Sequence, residues 1–374
     1  MTQLADRRAS TVRVSYSDLL CFGTDVFTLL GVPRARASTA ATALCYGDLT
    51  GMASHGLVNL ARLYLPLFRG GRVDPDAEPE LLTDLGACSL LDSRRALGLW
   101  AAAEAMDSAV ERAEQYGVGL VSMREATHFG CAGHHAARAA ERGMIGILAG
   151  NCGRQRIAPP PGGALTMLGT NPLSVAAPAG PHHPFVLDMS TTVVPTGRIR
   201  AAERHGEPIP PGWLDDGSGK SVTDPAAFDR GQARLRWLGG EPHTGAYKGF
   251  GLGLAVEVLA ALLPGAGLGP SAEALDGDGR PGGRDDDIGV LAMAIAPGML
   301  RPRGDFVAEA RALFETVLGC PPVCEAEPVR YPGWIEAERA AAHLRDGVPL
   351  QGNCYAELCE IARQLRLPAP PVRE

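Results

Sequence analysis

Two histidines stand where an imidazole can meet a small molecule. His128 lies in "ATHFG" (126–130), between the apolar run "VGLVSM" and the alanine-rich "CAGHHAARAAERG". That order reads as strand, loop and helix, and ligand-facing groups in α/β proteins gather in such loops. The positive end of the following helix favours a neutral imidazole, which makes His128 a candidate general acid and base. A histidine that only closes the turn fits the same spacing. His55, in "ASHGLVNLARLYL" (53–65), stands at a turn before a run of helical spacing and can donate to a ligand oxygen. Ser54 can equally cap that helix beside a structural histidine.

Two further stretches carry polar groups at element ends. Asp188 closes "PFVLD" and is followed by "MSTT", which puts a carboxylate and hydroxyls at the carboxyl end of a strand. Such a group suits a ribose, or a helix cap. Lys248, in "YKGFG", combines a cation with free backbone amides at a helix start, a ready anion site, or else a solvated lysine beside packing glycines. "GTNP" (169–172) reads only as a turn. No GxGxxG opens a helix after a strand, no Walker lysine occurs, and no GxSxG elbow exists, so neither a Rossmann dinucleotide site nor a P-loop is indicated.

The elements that must hold these groups follow from periodicity and breakers. Ser15 caps a helical segment reaching Gly31, and Ser38 precedes the helical "TAATALCYGDL". "CSLLD" is a short strand, residues 98–116 a helix closed by Gly117, and "MIGILAG" a buried strand. "LSVAA", "PFVLDM" and "IGVLAMAI" are further strands, "GFGLGLAVEVLAALL" is a buried helix, and the tail beyond Asp305 is mostly helical. The β-loop-α-β order indicates α/β architecture. Residues 264–287 lack periodicity and read as a mobile segment or lid.

Bulk properties narrow the class. With 374 residues, 45% hydrophobic and 21% charged, the chain has the balance of a soluble globular protein large enough for two lobes. A net charge of -7 argues against a nucleic-acid partner, and no apolar run reaches membrane-spanning length. Nine scattered cysteines indicate reduced thiols and a cytoplasmic address, and the spacings of Cys320/Cys324 and Cys354/Cys359 fit no common zinc site, so no metal is expected.

Taken in order, "SHG", "THFGCAGHHAARAAERGMIGI", "APPPGG", "GTNP", "PFVLDMSTT", "IPPGW", "TDP", "YKGFGL" and "YPG" resemble the malate/L-lactate dehydrogenase family that lacks a Rossmann fold. Its members include ureidoglycolate and sulfolactate dehydrogenases, diketogulonate reductase and piperideine-2-carboxylate reductase. The resemblance implies a non-Rossmann α/β fold. A mixed-sheet cofactor domain (86–319) would be interwoven with a helical substrate and dimer lobe (1–85 plus 320–374), in a homodimer. It implies hydride transfer between NAD(P)H and a C=O or C=N group, with His128 as the acid/base and His55 on the substrate wall. Asp188, Met189 and Ser190, Lys248 with Gly249, Gly333 with Trp334, and Cys152 match cofactor-binding positions.

The departures concern the substrate. Four residues after the "SHG" histidine the family usually has an arginine that grips a carboxylate, and eight after it a tyrosine; here these are Asn59 and Leu63. A second arginine of some members corresponds to Asp286. Asparagine cannot replace a guanidinium fork, and aspartate repels a carboxylate. Arg62 is the candidate substitute, one turn along the same helix face. Where some NAD-using relatives have an acid after the Cys152 position, this chain has Gly153 followed by Arg154 and Arg156, which favours a 2′-phosphate and hence NADPH. The resulting expectation is an NAD(P)H-dependent reductase of a ketone or cyclic imine without the usual carboxylate. The alternatives are a conventional 2-hydroxy-acid dehydrogenase and a non-catalytic nucleotide-binding relative.

Overall fold

A computed structural model describes residues 11–241 and 243–373; residues 1–10 of the expected N-terminal lobe lie outside them. Strand β1 (Thr11–Val14) leads into helices α1 (Tyr16–Leu29) and α2 (Arg34–Leu49). Ser15 caps α1 as expected, its hydroxyl accepting from Asp18 N. Helix α2, in contrast, starts at Arg34 after Pro33, before Ser38, because proline's fixed φ sets the first turn and leaves the serine inside the helix.

After a single 3₁₀ turn at Ala53–His55 comes a π-turn, Leu60–Tyr64, that runs into α3 (Leu65–Arg69). Its cause is Pro66, which carries no N–H and whose ring would collide with the carbonyl four residues back. The chain widens instead, and Leu65 N bonds Leu60 O, five residues earlier.

Then follow β2 (Glu80–Asp84), β3 (Cys88–Asp92), α4 (Gly98–Tyr116), β4 (Val118–Ala126), α5 (Ala132–Glu141), β5 (Ile145–Gly150), β6 (Leu173–Ala177), β7 (Phe185–Met189) and α6 (Thr196–His205). A three-stranded ribbon of β8 (Leu214–Asp215), β9 (Ser221–Val222) and β10 (Arg234–Leu235) encloses α7 (Ala226–Asp229). Helix α8 (Ala246–Glu257), β11 (Ile288–Ile295), α9 (Pro297–Leu300), α10 (Arg303–Leu318), α11 (Trp334–Asp346), β12 (Val348–Gln351) and α12 (Gly352–Leu365) complete the chain.

The main sheet has seven strands in the order β2-β3-β4-β11-β5-β6-β7, mixed because only β3 and β4 pair in parallel. Strand β11 fills the centre, and "IGVLAMAI" is apolar at every position because both faces are covered. The alanine-rich face of α4 and the π-turn Val258–Leu262 that extends α8 pack on β11. Separately from this sheet, β1 pairs antiparallel with β12, Thr11 opposite Gln351 and Val14 opposite Val348. One apolar core runs from Val14 through Trp100 and Val290 to Ala362, joining the terminal helices to the sheet.

Two expectations change. The helix read as buried covers only one of its faces and leaves an apolar one exposed, with Leu252, Leu254, Val258, Leu259, Leu262 and Leu263 open to solvent, Leu262 by 61%. Residues 264–287 contain a 3₁₀ turn at Ala272–Asp276 and are tied down by a bridge between Arg156 and Gly282 and by ion pairs to Arg72.

The register of the sheet explains where the site lies. Ala126 at the end of β4 faces Ile288 at the start of β11, and Gly150 at the end of β5 faces Val290. Leu173 opens β6 opposite Ala149, and Met189 closes β7 opposite Leu173. The segments carrying His128, Asp285 to Asp287, Cys152, "GTNP" and Asp188 therefore leave or enter the sheet at one end.

Candidate active site

The loop after β4 is fixed before it reaches His128. Thr127 is buried, its hydroxyl donating to Ala96 O (3.1 Å) and accepting from Gly98 N (2.9 Å) at the start of α4. Two residues on, Gly130 adopts φ +79°, a left-handed conformation that glycine takes without penalty, and its N–H donates to His128 Nδ1 at 3.2 Å. Nδ1 is thus an acceptor and Nε2 carries the ring proton. The Tyr64 hydroxyl, 2.8 Å from the same Nδ1, is therefore the donor of a second bond. Nε2 has no partner among the described residues and is left to meet a ligand.

Tyr64 was not singled out in the sequence, and the π-turn is the reason its position could not be read from helical spacing. It is 0% exposed, packs edge-on to Phe27 at 6.3 Å, and has its phenol pKa raised by burial. His128 lies between two roughly parallel rings, Phe129 at 6.1 Å and His55 at 6.2 Å. Removal from water lowers its pKa to about 4, aided by neighbouring His55 and opposed by the Asp285 carboxylate. The ring is neutral at physiological pH.

His55 is held by its own turn. Ser54 Oγ lies 3.0 Å from His55 Nδ1, and Asn59 Nδ2 donates to Ser54 O at 2.9 Å. Beneath the turn the buried Asp48 carboxylate accepts from Leu57 N at 2.6 Å, and burial raises its pKa to about 7. Burial also lowers the pKa of His55. Asn59 thus serves the turn, and Arg62 points elsewhere. Its side chain is exposed and stands near Arg204 and Arg200 of α6 and Glu357 of α12; burial and the two arginines lower its pKa.

Asp286 is engaged by Arg72 Nε (2.5 Å) and Arg284 (3.1 Å). Its neighbour Asp285, 14% exposed in its side chain, accepts from Arg72 Nη2 at 2.5 Å, and its charge reaches both His128 and Tyr64. Asp287 accepts from Glu125 N at 3.0 Å, which pins this run to the end of β4.

Most of the expected cofactor positions line the same sheet end, whereas Gly333 and Trp334 pack at the start of β7, the opposite end of that strand. Cys152 Sγ lies 3.6 Å from Thr170 Oγ1, and Gly153 adopts φ +59° with its α-carbon so close to Asp286 O that a Cβ would lie 2.2 Å from it. Below them is a network the sequence did not disclose. The buried Glu257 carboxylate accepts from Asn171 Nδ2 (2.7 Å), Asn151 Nδ2 (3.3 Å) and Gly269 N (2.8 Å). "GTNP" is therefore more than a turn: Asn171, at φ +37°, ties β6 to α8.

Asp188 Oδ2 caps α5 by accepting from Gly133 N at 2.7 Å, and burial raises its pKa to about 6. The helix-cap reading holds for that oxygen, and Oδ1 has no hydrogen bond among the described residues. Met189 ends β7, and the Ser190 hydroxyl donates to Thr192 O at 3.0 Å. Gly333 and Trp334 lie along β7, where Pro332 O accepts from Val186 N at 3.0 Å. Lys248 is exposed in the first turn of α8, its ammonium 5.8 Å from the Tyr247 ring, and Gly249 packs on Leu238. Arg154 is 63% exposed with only a loose partner, Asp287 at 3.8 Å.

This donor set fits a nicotinamide dinucleotide. A carboxyl oxygen suits ribose hydroxyls, and unengaged cations suit phosphates. Among the described residues no group of three or more His, Cys, Asp or Glu is arranged to hold a metal, and no helix is long and apolar enough to cross a membrane.

A sequence profile described as malate/L-lactate dehydrogenase matches residues 14–359. The L-sulfolactate dehydrogenase of Methanocaldococcus jannaschii is 33% identical over 343 residues, 92% of this chain and 94% of that protein. The (2R)-3-sulfolactate dehydrogenase (NADP(+)) of Chromohalobacter salexigens is 33% identical over 304 residues, 81% of this chain and 84% of that one. The malate dehydrogenase structure from Entamoeba histolytica superimposes with a TM-score of 0.88 at 27% identity, covering 97% of this chain and all of that one (100%).

Proposed function

We propose, for a chain that belongs to the malate/L-lactate dehydrogenase family and is an NAD(P)-dependent oxidoreductase, that it reduces a ketone or cyclic imine with His128 as the proton donor. The observation that carries this reading is the neutral His128, with Nδ1 held by Tyr64 and Gly130 and Nε2 unengaged. The cofactor, when bound, supplies or accepts the hydride. His128 Nε2–H hydrogen-bonds the reacting oxygen or nitrogen and releases its proton as negative charge builds there. In the reverse direction the neutral ring accepts that proton, for which a low pKa in the free site keeps it ready.

His55 lies parallel to His128 and closes the substrate wall. Asp188, Met189 and Ser190 with Cys152, Gly333 and Trp334 hold the ribose and nicotinamide portion, and Lys248 with Gly249 the pyrophosphate. Arg154 takes a 2′-phosphate, which makes NADPH the preferred form; the name of the Chromohalobacter relative gives NADP(+) for that protein. The substrate lacks the usual carboxylate, since Asn59 is spent on Ser54 O and Asp286 on two arginines. The nine unpaired cysteines support a reducing compartment, the cytoplasm. The exposed apolar face of α8 and its π-turn supports a homodimer.

A conventional 2-hydroxy-acid dehydrogenase is the second reading, favoured by Arg72, a guanidinium paired with Asp285, whose charge acts on His128. Initial rates with NADPH on cyclic imines, neutral ketones, pyruvate and oxaloacetate separate the two. His128→Asn should lower the best of these rates by ~10²–10⁴-fold. An unchanged rate would overturn the acid/base role, and efficient pyruvate or oxaloacetate reduction would establish the second reading.

A further inference from the structure

Gly130 leaves one choice open in the catalytic loop. Its φ of +79° is one that glycine adopts as readily as the opposite sign, so the peptide joining Phe129 to Gly130 can turn either edge toward His128. With the N–H inward it donates to His128 Nδ1 at 3.2 Å; turned over, it would set a carbonyl oxygen against that lone pair. The Phe129 ring is locked separately, 4% exposed and so near Gly150 that a Cβ there would lie 2.4 Å from its Cζ. The ring contact fixes the side chain and leaves the orientation of the peptide to something else.

The outer edge of that peptide is held by His135 of α5. Its Nε2 lies 2.8 Å from Phe129 O, and because a carbonyl oxygen only accepts, the imidazole is the donor and Nδ1 carries the lone pair. No other donor reaches Phe129 O among the described residues. Two bonds therefore run in series through one amide, His135 Nε2–H to Phe129 O and Gly130 N–H to His128 Nδ1. An amide whose oxygen is bonded is polarised into a better N–H donor.

His135 also carries an uncompensated polar atom. The residue is 0% exposed, and its Nδ1 is buried with no hydrogen-bond partner among the described residues. An orphaned acceptor destabilises, and a leucine would avoid it. The charged groups that face the ring, Arg138 and Asp107, are bonded to each other at 2.8 Å, and the His134 ring stands 5.1 Å away, itself held neutral by burial. Burial lowers the His135 pKa to about 4, so its tautomer is constant at physiological pH. What the imidazole supplies and an apolar side chain does not is the single donor to Phe129 O.

We infer that His135 is a positioning residue for proton transfer, latching the peptide between Phe129 and Gly130 in the orientation that keeps His128 Nδ1 an acceptor and its proton on Nε2. This rests on the reading of His128 as the acid/base and adds to it a residue that acts through another.

Histidine-labelled NMR of the full chain, with steady-state kinetics in NADPH on the best substrate of the panel, tests the assignment. Wild-type His135 should carry its proton on Nε2. His135→Leu should raise the His128 pKa by roughly half a unit and lower kcat about three-fold at unchanged KM, since one of the two donors to Nδ1 is weakened. His135→Gln, whose amide N–H can reach the same oxygen, should restore both. A wild-type His135 protonated on Nδ1 overturns the assignment. So does a His135→Leu variant with wild-type titration and kcat, or a His135→Gln variant as impaired as the leucine one. Should His135→Leu melt early, the wild-type tautomer and the glutamine variant decide by the same criteria. Failure of the two readings is distinguishable. An unchanged rate in His128→Asn removes the acid/base reading whatever the titrations show. An unshifted His128 titration in His135→Leu, beside a rate that still depends on His128, removes the role of His135 alone.

Discussion

Replacing Tyr64 by phenylalanine removes one oxygen from the site and tests how His128 is kept ready. The hydroxyl donates to Nδ1 at 2.8 Å, while the other donor, Gly130 N, is longer at 3.2 Å, so the tyrosine makes the stronger of the two bonds. A buried neutral hydrogen bond contributes roughly 1 kcal/mol net. Phenylalanine keeps the edge contact with Phe27, so folding should change little. Catalysis should lose roughly five-fold in kcat/KM, the rate equivalent of about 1 kcal/mol, carried by kcat because the ring is mis-set for proton transfer and not for binding.

The pKa supplies a second, independent measure. A donor to Nδ1 stabilises the neutral ring and so depresses the His128 pKa below what burial alone gives; without it the pKa should rise from about 4 by roughly 0.7 unit. Cofactor absorbance under steady-state turnover and an NMR titration of the imidazole read the two effects. A Tyr64→Phe variant with wild-type kcat and an unshifted His128 titration would refute the assignment of Nδ1 as the acceptor and of Tyr64 as its donor.

Three more outcomes are expected. In the oxidation direction the acid limb of kcat/KM should lie nearer pH 4 than 6.5; the unfolded chain takes up a proton at His128 first, so the stability this neutral ring contributes is full above pH 6.5 and declines as pH falls through about 4, seen by thermal melts. Asp48→Asn should flatten the opposite trend: the Asp48 pKa is raised from 3.8 to about 7, so ionisation of the native carboxyl erodes stability as pH rises between those values, and melting of the variant should lose that slope. Gly153→Ala places a Cβ 2.2 Å from Asp286 O at φ +59°, so the loop must move, and the Kd for NADPH measured by fluorescence should rise by about ten-fold, with strain of order 1–3 kcal/mol.

The acid/base was legible because it depends on local order. A strand, a loop beginning Thr127-His128 and a helix put an imidazole at a sheet end whatever the rest of the chain does, and the ordered motifs around it carried the family. Helix and strand types followed from periodicity for the same reason. Tyr64 was hidden because Pro66 changes the local hydrogen-bond period from four to five, so spacing counted at α-helical pitch assigns the wrong face. Glu257 was hidden because its partners, Asn151, Asn171 and Gly269, come from three separate segments. Ser38 and the leucines of α8 misled for a simpler reason: a cap is displaced by a preceding proline, and an apolar helix face can be left for a partner subunit.

Charge at the pocket was the least readable property, and it is where sequence and structure part most instructively. By spacing, Arg62 was the natural substitute for a lost arginine at Asn59, since both lie on one stretch of helix. Beside the π-turn, Arg62 stands near Arg200 and Arg204, while Arg72, which follows α3, is already bonded to Asp285 and Asp286. An arginine that grips a substrate carboxylate needs its fork unengaged, and here two donors of the fork are taken. To serve an anion, Arg72 would have to leave Asp285 without an ion-pair partner among the described residues and Asp286 with Arg284 alone.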